Sequence, residues 1–197
     1  VQDTFDILIN SFIKDKIGIA DNFLSLPLAI HLKENLNALY ANQRLLAAGT
    51  GKDRLIDPEK IVRGDKIFWL DRSHNNPHEN TFFDLIDEFV LYLNRTCYTG
   101  ITNYEFHYTL YESGTFYKKH FDQFKNNDGR QYSMIMYLNE DWLAIDGGEL
   151  SIQNGDKQQI ISPNNCKSVF FRSNELEHEV LLTTKARMSI TGWFKVN

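Results

Sequence analysis

Cysteine and proline are scarce in this sequence, at two and four in 197 residues. Cys97 and Cys166 lack the paired spacing of zinc knuckles, redox motifs or small disulfide frameworks, so they read as small buried hydrophobes of a chain kept in a reducing compartment. Four prolines argue against disorder and against a stiff linker. Basic residues are in the minority: 21 against 26 acids gives a formal charge of −5, so attraction to a phosphate backbone is not expected and nucleic acid is not a predicted partner. No apolar run approaches the roughly 20 residues of a membrane span, and the opening VQDTFDILIN has no basic stretch ahead of its apolar one. The expectation is a cytoplasmic chain without a membrane partner. It opens on Val rather than Met, which leaves upstream segments open. Internal repeats and low-complexity tracts are absent.

Aromatic residues are plentiful: 14 Phe, 9 Tyr and 3 Trp, a share that suits half-buried pleated sheets. At this length one domain, 1–197, is expected. Its helical part covers about residues 1–96. Phe5, Leu8, Ile9, Phe12 and Ile13 repeat at helical spacing behind a cap at Asp3 or Thr4. A second helix starts near Ser25 with Pro27 in its first turn, carries Leu28, Leu32, Leu36, Leu39 and Tyr40 on one stripe, and stops by Gly49. After a polar loop, IVRGDKIFWL (61–70) reads as a strand. Asn75, Asn76 and Pro77 mark a loop, and Phe82, Leu85, Ile86, Phe89 and Leu93 form a third helix. From Tyr104 the period becomes two: YEFHYTLYE, YSMIMYLNE, GELSIQN, QQIIS, KSVFFRS, EVLLTT and RMSITGWFK are candidate strands of a β core at about 104–195. Helices followed by many short strands give an α+β class, closed as a sandwich or jelly roll with the helices packed on one sheet.

In YKKHFDQF, His120 and Asp122 stand two apart, a spacing that puts both side chains on one face of an extended strand. An isolated HxD is weak evidence for a metal. His178, opening the strand in LEHEVLLTT, supplies a third donor, and two imidazoles with one carboxylate form the facial triad that leaves positions open on iron(II). Zinc hydrolase sites also use two histidines and an acid, but the H-E-x-x-H helix that commonly supplies them is missing. Arg187, Ser189, Thr191 and Trp193 alternate on the following strand, bringing near the metal a planar fork suited to a carboxylate such as the distal one of 2-oxoglutarate.

The segment from about Arg63 to Trp193 resembles the prolyl hydroxylase domain family of Fe(II)- and 2-oxoglutarate-dependent dioxygenases. The shared motifs are RGDKIFW (63–69), Tyr111-x-x-Gly, Tyr117-x-x-His120-x-Asp122, DGR (128–130), YLNEDW (137–142), GGEL (147–150), and His178-Glu-Val with Arg187 nine positions on. The resemblance implies a double-stranded β-helix, iron on His120, Asp122 and His178, and the far carboxylate of 2-oxoglutarate on Arg187 with a hydroxyl from Tyr137. It further implies that Tyr111 and Thr191 surround the cosubstrate and that Trp193 walls the pocket. Asp65 and Arg130 match a pair that bridges on the substrate side. O₂ would be the oxidant, ascorbate would support activity, and the substrate would be a prolyl residue in an exposed loop of a protein, with elongation factor Tu as the named candidate. The Tyr111-Glu112-Ser113-Gly114 tip is shorter than in the animal enzymes. Four residues follow Trp193 where those enzymes carry a helix, and the expectation is a more open cleft.

Two other classes compete: an oxygenase of the same chemistry acting on a small molecule or free amino acid, and a metal-binding barrel without turnover. The barrel has no use for Arg187 and Tyr137 in register with the ligands. His31, His74, His78 and His107 fit solvated or hydrogen-bonded structural roles. The polar stretch from Asp71 to Asn80 reads either as a lid over a peptide or as a plain connection.

Overall fold

Ser25 and Asn76 decide where two of the three α-helices among the described residues begin, because each offers a side-chain oxygen to backbone N–H groups that have no partner inside the first turn. Ser25 Oγ accepts from Leu28 N at 3.4 Å, and Asn76 Oδ1 accepts from His78 N and Glu79 N at 2.9 and 3.1 Å. In both cases a proline follows in the first turn, where its missing N–H costs nothing. The computed structural model describes residues 2–49, 62–123 and 129–196. The predicted polar loop at 50–60, the first residue of the predicted strand 61–70, the first residue of the DGR motif and the Phe124 end of YKKHFDQF lie outside them.

Helix α1 spans Gln2–Asp15, α2 Leu26–Ala41 and α3 Pro77–Thr96. Asp3 and Thr4 lie within the first turn of α1 and do not cap it. Its apolar stripe is narrower than the pattern implied, since Phe5, Leu8 and Ile9 are buried while Ile13 is 70% exposed. Helix α2 ends well before Gly49: the N–H of Asn42 closes the last turn onto Ala38 O, and the chain then turns through left-handed Gln43.

The strands are β1 Ile17–Ala20, β2 Leu46–Ala47, β3 Asp65–Trp69, β4 Asn103–Tyr111, β5 Tyr117–His120, β6 Arg130–Tyr137, β7 Leu150–Asn154, β8 Lys157–Ile161, β9 Ser168–Arg172, β10 His178–Val180 and β11 Arg187–Lys195. They form a seven-stranded sheet in the order β1-β9-β6-β11-β4-β3-β2 and a four-stranded sheet in the order β5-β10-β7-β8. All the pairings within them are antiparallel. The result is a double-stranded β-helix with helices on the outer face of the larger sheet, as expected. Strand β1 had no counterpart in the sequence reading, and EVLLTT contributes only the short β10.

Period-two alternation divides the larger sheet into two environments. Phe106, Tyr108 and Leu110 of β4, Met134 and Met136 of β6, Phe170 of β9, and Ile190 and Phe194 of β11 join the helices in one core. Tyr111, Ile135, Tyr137, Val169 and Phe171 face the smaller sheet in a second core with Leu150, Ile152 and Val180. Gly192 pairs with Phe106 in the β11–β4 ladder, and any Cβ there would overlap the Phe106 ring and the Glu105 carbonyl.

The stretch from Asp71 to Asn80 is not a lid. Residues 72–74 form a 3₁₀ turn capped by Asp71, whose Oδ1 accepts from Ser73 N at 2.8 Å. Residues from Pro77 onward belong to α3. Arg72 bridges Asp84 at 2.9 Å and Asp87 at 2.7 Å, and His74 Nδ1 lies 3.0 Å from the buried Glu79. Glu79 also accepts from Asn35 of α2 at 2.7 Å. With both ends capped and the middle tied to α3, no length of backbone is left to swing, and none of these residues lines the cavity described next.

Candidate active site

Strands β5 and β10 pair so that His120 stands opposite His178, and the two rings approach to 4.2 Å between centroids. Each ring is held from behind by a backbone carbonyl two residues earlier. His120 Nδ1 lies 2.8 Å from Lys118 O and His178 Nδ1 3.1 Å from Leu176 O. A carbonyl only accepts, so both Nδ1 atoms carry hydrogen and both Nε2 atoms turn forward. They meet Asp122, whose Oδ1 is 3.4 Å from His120 Nε2 and 3.6 Å from His178 Nε2. One donor atom from each of the three residues falls within 4.8 Å of the others.

Asp122 is not on the strand, contrary to the expected shared face of an extended segment. β5 stops at His120, and the following bend is fixed by Asp122 N and Gln123 N, which donate to Ser173 O at 3.1 and 3.2 Å. The carboxylate is aimed by a second contact: Ser133 donates to Oδ2 at 2.7 Å, and Ser133 Oγ lies 2.9 Å from Ser173 Oγ. One carboxylate oxygen is thus committed to β6 and the other faces the imidazoles.

Burial alone would raise the Asp122 carboxyl, but His178 and His120 hold it well below the usual carboxylate range. Burial pushes His178 down, and Asp122 more than reverses this, so the ring holds a proton above its ordinary value. A divalent cation bound to the three forward-facing atoms would do the same neutralising work, which is why this donor set fits a metal.

The opposite end of the site is set by a single residue far downstream.

 That residue is Arg187, the first of β11. Its side chain is buried, its Nε donates to Gly148 O at 2.7 Å, and its Nη2 has no partner among the described residues. Gly148 makes this approach possible: it adopts φ +67°, and a Cβ there would sit 3.0 Å from Thr183 Oγ1 and 3.1 Å from Arg187 Cδ. The rings of Tyr111 and Tyr137 lie 5.1 and 5.0 Å from the guanidinium carbon. Burial raises both phenols, with Arg187 opposing the rise, so both stay protonated donors at neutral pH. The Tyr137 hydroxyl is also buried without a partner among the described residues. A desolvated guanidinium beside an unused phenol is costly unless an anion arrives, and a planar carboxylate matches both.

One cavity, of about 610 Å³ including its open mouth, joins the two ends. His120, Asp122, His178, Arg187, Tyr111, Thr191 and Trp193 line it, as do Asp65 and Arg130. Tyr137 is not among these wall residues, and its ring packs beside the Arg187 guanidinium. The ion pair expected between Asp65 and Arg130 is replaced by two others. Arg63 grips Asp65 with Nε at 2.6 Å and Nη2 at 2.5 Å, and Arg130 binds Glu105 at 2.9 and 2.8 Å while its guanidinium carbon lies 3.5 Å from the Trp193 ring centre. Arg63 is only two residues from Asp65, and Glu105 faces Trp193 across the β4–β11 ladder.

The sequence reading missed Ser133, which orients Asp122, and the carbonyl of Gly148, which holds Arg187. It also assigned His107 to the background, although this ring lines the cavity. The signal available was parity: His107 and Thr109 share a strand face with Tyr111.

The sequence model of the 2OG-Fe(II) oxygenase superfamily matches residues 106–195. A crystal structure of a Pseudomonas putida prolyl-4-hydroxylase superposes with a TM-score of 0.88 at 29% identity, covering 98% of this chain and 99% of that one. The chain is thus similar to the prolyl hydroxylase type of 2OG-Fe(II) oxygenases. Egl nine homolog 1 of Rattus norvegicus is 29% identical over 193 residues, which cover 92% of this chain and 55% of the relative. Prolyl hydroxylase EGLN3 of Mus musculus is 28% identical over 194 residues, covering 88% and 76%. The chain therefore spans about half the length of Egl nine homolog 1 and about three quarters of the second relative. Fe(II) and 2-oxoglutarate are the metal and cosubstrate of these oxygenases. The converging imidazoles and carboxylate fit the first, and the buried guanidinium with its unused N–H fits the second. No helix among the described residues is long and apolar enough to cross a membrane.

Proposed function

We propose that the chain hydroxylates a peptidyl proline in a protein substrate, with Fe(II) held by His120, Asp122 and His178 and the distal carboxylate of 2-oxoglutarate held by Arg187. The observation that carries this reading is the unpartnered Nη2 of the buried Arg187 at one end of a cavity whose other end gathers the three donors. A structural arginine would have found a carboxylate, as Arg63 and Arg130 do. The metal, when bound, supplies the oxidising chemistry that couples decarboxylation of the cosubstrate to insertion of one oxygen atom into a C–H bond.

The chain's own residues do four things around that chemistry. Backbone carbonyls hold His120 and His178 with Nε2 forward. Ser133 holds Asp122 so that one oxygen faces the imidazoles. Arg187 binds the carboxylate, with Tyr137 as a second donor beside it, and Tyr111 and Thr191 border the cosubstrate. Ile135, Leu150 and Val180 keep the inner wall apolar, which limits the water that could divert the oxidant. At the mouth, Trp193 with Arg130 stacked on it and the Arg63–Asp65 pair form the side a substrate meets.

The matched prolyl hydroxylases, one of them solved with a peptide fragment of hypoxia inducible factor, support a protein substrate. Elongation factor Tu is the candidate we carry forward. The test is incubation of purified elongation factor Tu and a panel of prolyl peptides with the chain, Fe(II), ascorbate and 2-oxoglutarate. Expected are succinate formation and a gain of one oxygen on a proline by mass spectrometry. Cosubstrate turnover stimulated by a free amino acid, with no polypeptide modified, would move the reading to a small-molecule oxygenase.

A further inference from the structure

His107 is buried in the wall of the same cavity and is bound to neither the metal donors nor Arg187. Its Nδ1 lies 3.1 Å from Tyr108 O and 3.0 Å from Thr109 Oγ1. The carbonyl accepts only, so Nδ1 carries the hydrogen and Nε2 is left as a bare acceptor. No described residue bonds to that nitrogen, and it is not among the enclosed polar atoms lacking a partner, so it opens onto the cavity. The ring is fixed by Trp69, edge-on at 4.9 Å between centroids, and by Trp193 at 5.5 Å. Burial pushes its pKa down to about 4, so the acceptor persists across the neutral range.

Register places this acceptor at the substrate end. Along β4, Tyr111 stands opposite Arg187 and His107 opposite Thr191. On the other side β3 sets Asp65 against Tyr111 and Trp69 against His107. Four steps of strand separate the two positions, about 13 Å between their Cα atoms, so His107 stands level with Thr191, away from the carboxylate grip and beside the Trp69 and Trp193 rings. Trp69, beside His107, is 45% exposed, so this end meets whatever enters from solvent. A prolyl residue has no backbone N–H of its own; the donors nearest to it in a polypeptide are the amides of its neighbours.

We propose that His107 is a specificity-determining residue of this site, accepting at Nε2 a hydrogen bond from a backbone N–H that flanks the target proline. The inference rests on the prolyl hydroxylase reading above. It predicts that the site selects polypeptide over a free imino acid by a contact that the metal and cosubstrate do not make.

The test compares the parent chain with His107→Phe, which keeps an aromatic ring between Trp69 and Trp193 but removes the acceptor, and His107→Gln, which restores one. The probe is whichever protein or peptide of the panel above is turned over best, together with peptide analogues N-methylated at each amide beside the proline. Peptide-free 2-oxoglutarate turnover serves as the control for folding and cosubstrate binding. Expected for His107→Phe is a rise in substrate KM of about tenfold, the size of one lost hydrogen bond to a buried acceptor. The KM for 2-oxoglutarate and the peptide-free rate should hold within about twofold, and His107→Gln should recover part of the loss. N-methylation at one flanking amide should weaken the parent and leave His107→Phe unchanged. In the parent, the unprotonated Nε2 nitrogen resonance should move when the probe is added. An unchanged substrate KM in His107→Phe, or an Nε2 resonance indifferent to the probe, overturns the role of His107 alone. A parent that turns over no prolyl substrate overturns the reading on which it rests.

Discussion

The two faces of the seven-stranded sheet are made from the same strands and serve opposite ends. Outward, Phe106, Tyr108, Leu110, Phe170 and Phe194 pack on the helices, where Phe89 of α3 meets Phe5, Phe23, Phe170 and Phe194 with ring centroids 4.9 to 5.8 Å apart. Inward, the neighbouring positions are His107, Thr109, Ser133, Arg187 and Ser189, all buried and polar. The outward face gains from aromatic packing and area removed from water. The inward face costs stability wherever a polar group is left unbonded, as at Arg187 Nη2, Tyr137 and Trp193 Nε1. Stability and chemistry are therefore separated by one residue of pleat rather than by distance along the chain, and each face should be breakable without the other.

The largest effect should come from Asp122→Ala. It removes the one negative donor, so turnover should fall on the order of 1000-fold or more while the far-ultraviolet circular dichroism spectrum stays that of the parent. His31→Ala, outside the cavity and stacked on His78 at 4.0 Å, should leave turnover intact. Equal loss in the two variants would count against the metal assignment.

On the other face, Phe89→Ala should cost about 3 to 5 kcal/mol of stability, because a fully buried ring leaves a void among four others. Denaturant unfolding would read that loss, and the KM for 2-oxoglutarate in the surviving folded fraction should match the parent. A shifted KM would mean that the faces are coupled.

Arg187→Ala should weaken 2-oxoglutarate by about 2 to 5 kcal/mol, the range for a buried charge losing its partner, and Arg187→Lys should restore only part because an ammonium lacks the planar fork. Unchanged 2-oxoglutarate affinity in the alanine variant would misplace the carboxylate end.

The last effect concerns acid stability and is absent at neutral pH. Burial holds His107 at about 4 against an ordinary 6.5, so the unfolded chain takes up a proton first as the pH falls. The contribution is fully present above pH 6.5 and is lost as the pH drops through the window down to about 4. His107→Phe should flatten the fall of Tm between pH 7 and 4 relative to the parent, by on the order of 3 kcal/mol at the acid end. Parallel curves for the two chains would show that the ring is not held neutral.

Much of this was legible in the sequence where local chemistry decides the outcome. Ser25 with Pro27 and Asn76 ahead of Pro77 announce the starts of α2 and α3, and the alternation in YEFHYTLYE and RMSITGWFK gives the long central strands. The three donors and Arg187 could be picked out because strand parity and the family motifs agree. What failed depends on tertiary contact. β1 is four residues long with Gly18 inside it, too short for periodicity to register, and it forms by pairing with β9. Asp122 leaves its strand because Ser173, some fifty positions on, captures its N–H. The Asp65–Arg130 bridge gives way to Arg63 and Glu105, partners whose proximity no single strand reveals. His107 looked like background because a lone histidine in a strand gives no hint of which way its second nitrogen faces.

Gly192 has a role reaching beyond the crowding at its own position. Strand β11 begins at Arg187 and carries Trp193 near its far end, so one rigid rod sets the interval between anion grip and cavity mouth. Because β4 leaves no space for a Cβ at residue 192, a side chain there would lift the middle of the rod and shorten the interval. The strand works as a ruler, and the glycine is the mark at which it must lie flat.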